Sequence, residues 1–339
     1  MKSRPKLFPN RKKRNKLWGV RYVEEMQISV ICNTYNQEKY IRSALDGFVM
    51  QKTNFPFEVL IHDDASQDKT PDIIREYESR YPAIIKAICN TENQWSKHDG
   101  SLRRIAMERA GGKYVALCEG DDYWTDPYKL QKQYDFMESH PDYTLCGCST
   151  VWLNELSGKD MGNSKTSADK DVRLEEFLLP SNSRPFPTVS FLIKTDVWKS
   201  LPKWGFPVGD LPLTYFCAMK GKVRMLADTM CVYRWNAEGS WTAKSSDSEK
   251  RAQINEKMIA AYETMNQQTD YAYDELIKKA ILHQKYTLAL MRRDFAAITG
   301  PELIGMYKSR SFIYRMSDYF RCKNPGMYRQ LQKLLKKNR

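Results

Sequence analysis

The chain has 339 residues, 42% of them apolar and 28% charged, enough for one large or two modest globular domains and outside the range of disordered or fibrous composition. Its net charge of +13 is not spread evenly: nine Lys/Arg against two Glu lie in residues 1–26, ten Lys/Arg against two acids lie in 301–339, and the 27–300 body is left at −2. A basic nucleic-acid face on the folded body is thereby excluded; basic ends mixed with apolar residues suit an anionic membrane surface, at about 1 kcal/mol per Lys/Arg close to it, with plain solvated tails as the alternative reading.

The eight cysteines are scattered, several of them in apolar runs and none in a CxxC pair, which predicts reduced buried thiols rather than a disulfide framework. Cys146 and Cys148 stand too close together and too isolated for a zinc site. The first 26 residues carry no apolar signal core, and no run approaches 18 apolar residues. The expectation is therefore a cytoplasmic protein, peripheral on the membrane at most.

Ile28 to Asn33 is a β-branched run and predicts a first buried strand; Tyr40, Ile41, Ala44, Leu45 and Phe48 recur at helical spacing. Phe57 to Ile61 predicts a second strand, stopped by His62-Asp63-Asp64, and Thr70-Pro71 opens a helix through Arg80. Ile84 to Cys89 predicts a third strand, Leu102 to Ala110 a helix halted at Gly111-Gly112, and Tyr114 to Cys118 a fourth strand. Such alternation predicts a mostly parallel sheet flanked by helices, which binds ligands beyond the carboxyl ends of its strands. Asn33–Asn36, Asp63–Asp64 and Glu119–Asp122 all fall at those ends. Three carboxylates within Glu119-Gly120-Asp121-Asp122 repel one another unless a cation joins them, and Mg²⁺ or Mn²⁺ accepts such ligands; a solvated acidic turn ahead of the next helix is the plainer alternative.

From about residue 141 the alternation breaks. Tyr143 to Leu153 predicts a strand pair, Asn154 to Lys170 a polar loop, and Pro185 to Lys194 an extended entry into a strand. Leu211 to Met219 predicts a helix just after Asp210, followed by two short strands at Val223–Ala227 and Met230–Tyr233. Asp247–Met265 and Tyr271–Arg293 are long helical patterns, and 301–339 is helical and basic. The expected organisation is a basic segment (1–26), an α/β domain (27–245, its halves meeting near 140) and a helical, basic C-terminal region (246–339).

Four stretches in order, ISVICNTYNQEKYI (28–41), EVLIHDDASQDKT (58–70), GGKYVALCEGDDYWTDPYKLQKQ (111–133) and VGDLPLTYFCAMKGKVRMLADTMCVYR (208–234), resemble the family 2 glycosyltransferases of the GT-A fold, an α/β architecture. The resemblance covers about two thirds of the chain. It implies an inverting, divalent-metal-dependent enzyme that takes a nucleotide-sugar donor, here a UDP-sugar, and works in surface polysaccharide or glycan synthesis on a glycan or lipid-linked acceptor. By the same resemblance Thr34, Tyr35 and Asn36 line the base and ribose site, and Asp64, with Asp63 beside it, accepts the uracil N–H. Asp121 faces ribose and metal, Asp122 holds Mn²⁺ or Mg²⁺, and Asp210 is the base that takes the acceptor proton; helix capping is the alternative for Asp210. Thr188, Ser190, Arg234 and Trp241 fall on the acceptor side, Trp241 as part of a lid over the donor, with a plain core tryptophan as the alternative. The chain departs from the family pattern in having Asn33 for Pro, Glu119 for the first Asp of D-x-D, and Trp235-Asn236 where many relatives have His. A sugar-nucleotide nucleotidyltransferase would want a Gly-rich basic loop after the first strand, which CNTYNQEKY is not; a non-catalytic nucleotide-sugar binder is the other alternative. Transferred sugar, linkage and oligomeric state are not written in the sequence.

Overall fold

The computed structural model describes residues 25–97, 101–162, 164–179, 186–240 and 248–330. In the first half β1 (Ile28–Thr34), α1 (Ile41–Val49), β2 (Phe57–Asp63), α2 (Thr70–Arg80), β3 (Ile85–Cys89), α3 (Ser101–Arg109) and β4 (Tyr114–Leu117) alternate as the apolar pattern predicts. β1 lies between β2 and β4 and is parallel to both, with Ile28 opposite Phe57 on one side and Tyr114 on the other. Successive strand residues face opposite ways. Val30, Cys32, Val59 and Ile61 therefore pack with Ile41, Leu45, Phe48 and Ile74 of α1 and α2. Ile31, Leu60 and Val115 enter a second core with Ala106 of α3. Parallel pairing puts the carboxyl ends of β1, β2 and β4 on a single edge.

The second half contributes β5 (Tyr123–Trp124), α4 (Lys129–Ser139), β6 (Tyr143–Asn154), β7 (Lys159–Asp160), β8 (Lys170–Asp171), α5 (Leu174–Leu178), β9 (Leu192–Lys194), α6 (Thr195–Lys199), α7 (Asp210–Lys220) and β10 (Lys222–Trp235). The sheet runs β3-β2-β1-β4-β9-β6-β10-β5, with β7 beside β6 and β8 beside β10. β9 is antiparallel to both β4 and β6 and so joins the two halves.

Two expectations are corrected here. Tyr143 to Leu153 is one long strand, not a pair. Gly147 does not turn the chain but makes room for the Phe186 ring, since a Cβ there would sit 2.6 Å from Phe186 Cδ2. The two short strands expected at 223–233 are likewise one strand, β10, parallel to β6. Asp228-Thr229 reads as a turn in sequence, but the ladder absorbs it through register shifts between Leu226 and Thr229 and between Thr229 and Cys231, as a bulge does.

The C-terminal region consists of α8 (Ser248–Gln268), α9 (Asp274–Met291), α10 (Phe295–Thr299), α11 (Ile304–Ser309) and α12 (Phe312–Lys323), followed by helical residues 325–330. Met258 and Tyr262 of α8 and Ile277 of α9 extend the second core. Tyr286, Leu290, Ile298 and Leu303 form a small core of their own. Asp318 closes that core, accepting from the Tyr286 hydroxyl at 2.7 Å and pairing with Arg310 at 2.8 Å. Among the described residues no helix is long and apolar enough to cross a membrane.

Candidate active site

The acidic loop after β4 is fastened to the end of β1. Cys118 N–H donates to Ile31 O at 3.1 Å and Gly120 N–H to Asn33 O at 3.0 Å. The contact at Gly120 is close: a Cβ there would lie 2.5 Å from Gln37 Oε1 and 2.7 Å from Thr34 Oγ1, so only glycine lets the two loops meet. Thr34 Oγ1 donates to Gln37 Oε1 at 2.7 Å, and Gln37 holds the Asp121 carboxyl down against its burial. The Thr34 and Gln37 side chains thus lie against the acidic loop at Gly120.

The β1 and β2 ends are stitched together in the same way. Asp64 N–H donates to Thr34 O at 2.9 Å. Asn36, at φ 52°, donates its N–H to Ser66 Oγ at 2.8 Å and accepts from Gln67 N–H at 2.7 Å; asparagine tolerates this left-handed conformation better than most residues. Asp63 is buried and accepts from both the hydroxyl and the N–H of Ser66. Asp64, also buried, accepts from Asn90 Nδ2 at 3.1 Å, Gln94 N–H at 2.7 Å and Trp95 N–H at 2.9 Å. A carboxylate has about four lone-pair positions, and the described residues fill three of them on Asp64. Tyr35, 41% exposed, stands out from this edge.

The electrostatics of the edge are dominated by crowded acids. Burial, then the charges of Asp121 and Glu119, push the Asp122 carboxyl well above the carboxylate range, while the N–H and charge of Arg234 pull it back. Burial raises Asp121, opposed by Arg234 and Gln37. Glu119 is pushed up to about 7 by burial and by the charges of Asp121 and Asp210. Asp210, the first residue of α7, is thereby within electrostatic reach of the loop, although some 90 residues separate them in sequence. The Tyr233 phenol is raised by burial and by all four of these acids, and so remains an O–H donor among acceptors.

Arg234 on β10 braces the loop. Its backbone N–H donates to Asp122 Oδ1 at 2.7 Å and its Nη1 to Asp121 O at 2.7 Å. Nε pairs with Glu155 at 2.9 Å, and the guanidinium lies 4.3 Å from the Tyr123 ring centroid. The structure therefore places Arg234 against the acidic loop, with its side chain mostly buried. Ser190 is fully buried in a short 3₁₀ turn and donates to Pro187 O at 2.7 Å. Thr188 opens the same turn and is partly exposed. Trp241 lies outside the described residues. Gln37, Glu155 and Tyr233 also lie at this site, although nothing in the sequence singles them out. Tyr233 stands next to Arg234 in a quoted motif, but only the pairing of β10 with β6 and β5 brings it to the acids.

Among the described residues no group of three or more His, Cys, Asp or Glu has metal-holding geometry. Mg²⁺ bound with phosphates, however, takes only one or two carboxylates from the protein. Asp121 and Asp122 supply that number, and their mutual repulsion with Glu119 is what a divalent cation relieves. The donor set fits such an ion.

Residues 29–188 match the family model described as glycosyl transferase family 2. An uncharacterised protein of Mycobacterium tuberculosis is 35% identical over 260 residues, spanning 75% of this chain and 71% of the relative. Among solved structures, residues 1–349 of Staphylococcus aureus TarS in complex with UDP-GlcNAc superpose with a TM-score of 0.61 at 19% identity, over 93% of each chain. The mannosyltransferase PcManGT of Pyrobaculum calidifontis, in complex with GDP-Man and Mn²⁺, superposes at 0.52 and 18% identity, over 91% of this chain and 88% of that one. The family match and the fold together identify a glycosyltransferase of GT-A architecture. The chain belongs to glycosyl transferase family 2.

Proposed function

We propose that the enzyme moves a sugar from a UDP-sugar to an acceptor hydroxyl with inversion, in the synthesis of a surface polysaccharide or related glycan. The observation that carries the reading is the convergence on one sheet edge of Thr34–Asn36, Asp63–Asp64, Glu119–Asp122 and, by its charge, Asp210. In this reading Asp64 uses its remaining acceptor position for the uracil imide N–H, which cytosine lacks. Thr34, Tyr35 and Asn36 border the nucleoside. Asp121 and Asp122 would hold Mn²⁺ or Mg²⁺, whose chemistry is to neutralise the departing diphosphate.

Asp210 takes the acceptor proton on its carboxylate as the acceptor oxygen bonds to the anomeric carbon and the bond from that carbon to phosphate oxygen breaks. Tyr233 keeps an O–H beside these acids, and Arg234 fixes the loop so that Asp121 and Asp122 need not reorganise. The bound nucleotides of the two solved structures, UDP-GlcNAc in one and GDP-Man with Mn²⁺ in the other, support a nucleotide-sugar donor. A membrane-surface location is supported by three consecutive exposed apolar residues at the start of α12, Phe312, Ile313 and Tyr314, in a basic stretch of the chain.

The test is a thermal-shift and calorimetric screen of UDP, CDP and GDP and their sugar conjugates, with and without Mn²⁺. Uridine nucleotides are expected to raise the melting temperature most, and more so with Mn²⁺. Equal affinity for UDP and CDP removes the Asp64 assignment.

A further inference from the structure

Within the C-terminal helices a cleft of about 440 Å³, lined by no residue of the acidic edge, is walled by Arg251, Arg293, Arg321 and Arg329, with Leu290 and Tyr328 among its other lining residues. The arginines come from different places: Arg251 from α8, Arg293 from the turn after α9, Arg321 from α12, Arg329 from the last described helical turn. Among the described residues Arg293 and Arg321 take part in no ion pair, and the Arg329 side chain makes one long bond, from Nε to Pro325 O at 3.4 Å. Three described acids of these helices have partners of their own. Asp318 serves Tyr286 and Arg310, Glu256 pairs with Arg292, and Asp294 caps α10 through Ala297 N–H.

A guanidinium does not deprotonate in a protein, so Arg293, Arg321 and Arg329, which form no ion pair among the described residues, favour an anion in the opening they share. Their planar forks match the oxygens of a phosphate, two bonds at a time. Leu290, Met291 and Pro325 line the same cleft and offer apolar contact beside the charge. From this arrangement we propose that the cleft is a second anion site, separate from the donor site, that binds a phosphate group, either as free phosphate or as the head of an anionic phospholipid.

The experiment uses full-length protein, wild type and Arg293→Gln/Arg321→Gln, titrated calorimetrically with two probes. These are inorganic phosphate and dihexanoylphosphatidylglycerol held below its aggregation concentration. Each lost charge-assisted contact is expected to weaken binding about tenfold. A loss with both probes at equal wild-type affinity identifies phosphate alone as the ligand. Tighter wild-type binding of the lipid, lost in the variant, identifies a phospholipid head. UDP affinity, measured alongside, is expected to be unchanged and reports that the fold is intact; if the double variant does not fold, the single variants Arg293→Gln and Arg329→Gln replace it. No binding of either probe to wild type, or affinity undiminished in the variants, overturns the proposal.

Discussion

At the scale of single residues, charge and position separate binding from chemistry. Asp122 is buried and its ionised form is disfavoured by Asp121 and Glu119. Asp122→Asn keeps the shape and removes one of the two charges a divalent ion needs. UDP binding by this variant is expected to lose its Mn²⁺ enhancement; calorimetry in which Mn²⁺ still strengthens binding as in wild type locates the metal elsewhere. Asp210 opens α7, and the residue ahead of it in the cap position is Gly209, so Asp210 favours the helix through its charge near the N-terminus, worth about 0.3–1 kcal/mol. Asp210→Asn is therefore expected to melt close to wild type and to bind UDP and Mn²⁺ normally. Its turnover is expected to fall by ~10²–10⁴, the usual contribution of a positioned general base. Near-normal turnover removes Asp210 from the mechanism, and lost nucleotide binding reassigns it to the donor site.

At the scale of elements, the edge works because strands and loops approach more closely than side chains ordinarily allow. Gly112 precedes β4, and its N–H donates to Ser29 Oγ at 2.9 Å. A Cβ on Gly112 would lie 2.4 Å from Ser29 N and 2.7 Å from Ile28 C, both backbone atoms of β1. Neither can rotate away, so Gly112→Ala is expected to cost about 1–3 kcal/mol, the usual range for overpacking. Urea denaturation measures it, and a loss below about 0.5 kcal/mol shows that β4 shifts without penalty. The contrast with Gly120 is instructive. There the added atom would meet the side chains of Gln37 and Thr34 beside the acidic loop, so the same substitution would disturb the site rather than the sheet.

At the scale of the whole molecule, charge is concentrated away from the catalytic body. The ten Lys/Arg of 301–339 accompany Phe312, 67% exposed, and Ile313, 58% exposed, at the start of α12. Cutting the chain at residue 300 would not isolate this feature, because Leu303 is buried in the small C-terminal core and Asp318 holds Tyr286 and Arg310. Substitution is the cleaner probe. Full-length protein is expected to bind phosphatidylglycerol vesicles with an affinity that falls steeply as salt rises. Phe312→Ser/Ile313→Ser is expected to weaken it at least about tenfold, since each exposed apolar side chain gains on leaving water. Equal vesicle binding by variant and wild type, measured by flotation, removes this surface from the membrane reading.

Much of this protein could be read along the chain. β1 to β4 and the helices between them announce themselves by period, because a parallel sheet buried on both faces demands runs such as ISVIC and FEVLI, and helices packed on it demand Ile41, Ala44, Leu45 and Phe48 at helical spacing. The same local rules put TYN, Asp63–Asp64 and EGDD at strand ends, and parallel pairing then implies a common edge. What period and turn chemistry cannot express is partnership at long range. Asp228-Thr229 looks like a turn until the β6 ladder takes it up as a bulge, and Gly147 looks like a break until the Phe186 ring fills its place. Ser190 sits in a promising motif but is buried by the packing of its turn. Glu155 and Arg234 are 79 positions apart and meet at 2.9 Å. Local preference selected the elements and their order; the close approach of side chains distant in sequence, set only when the sheet assembles, decided which acids share a charge and which cation braces them.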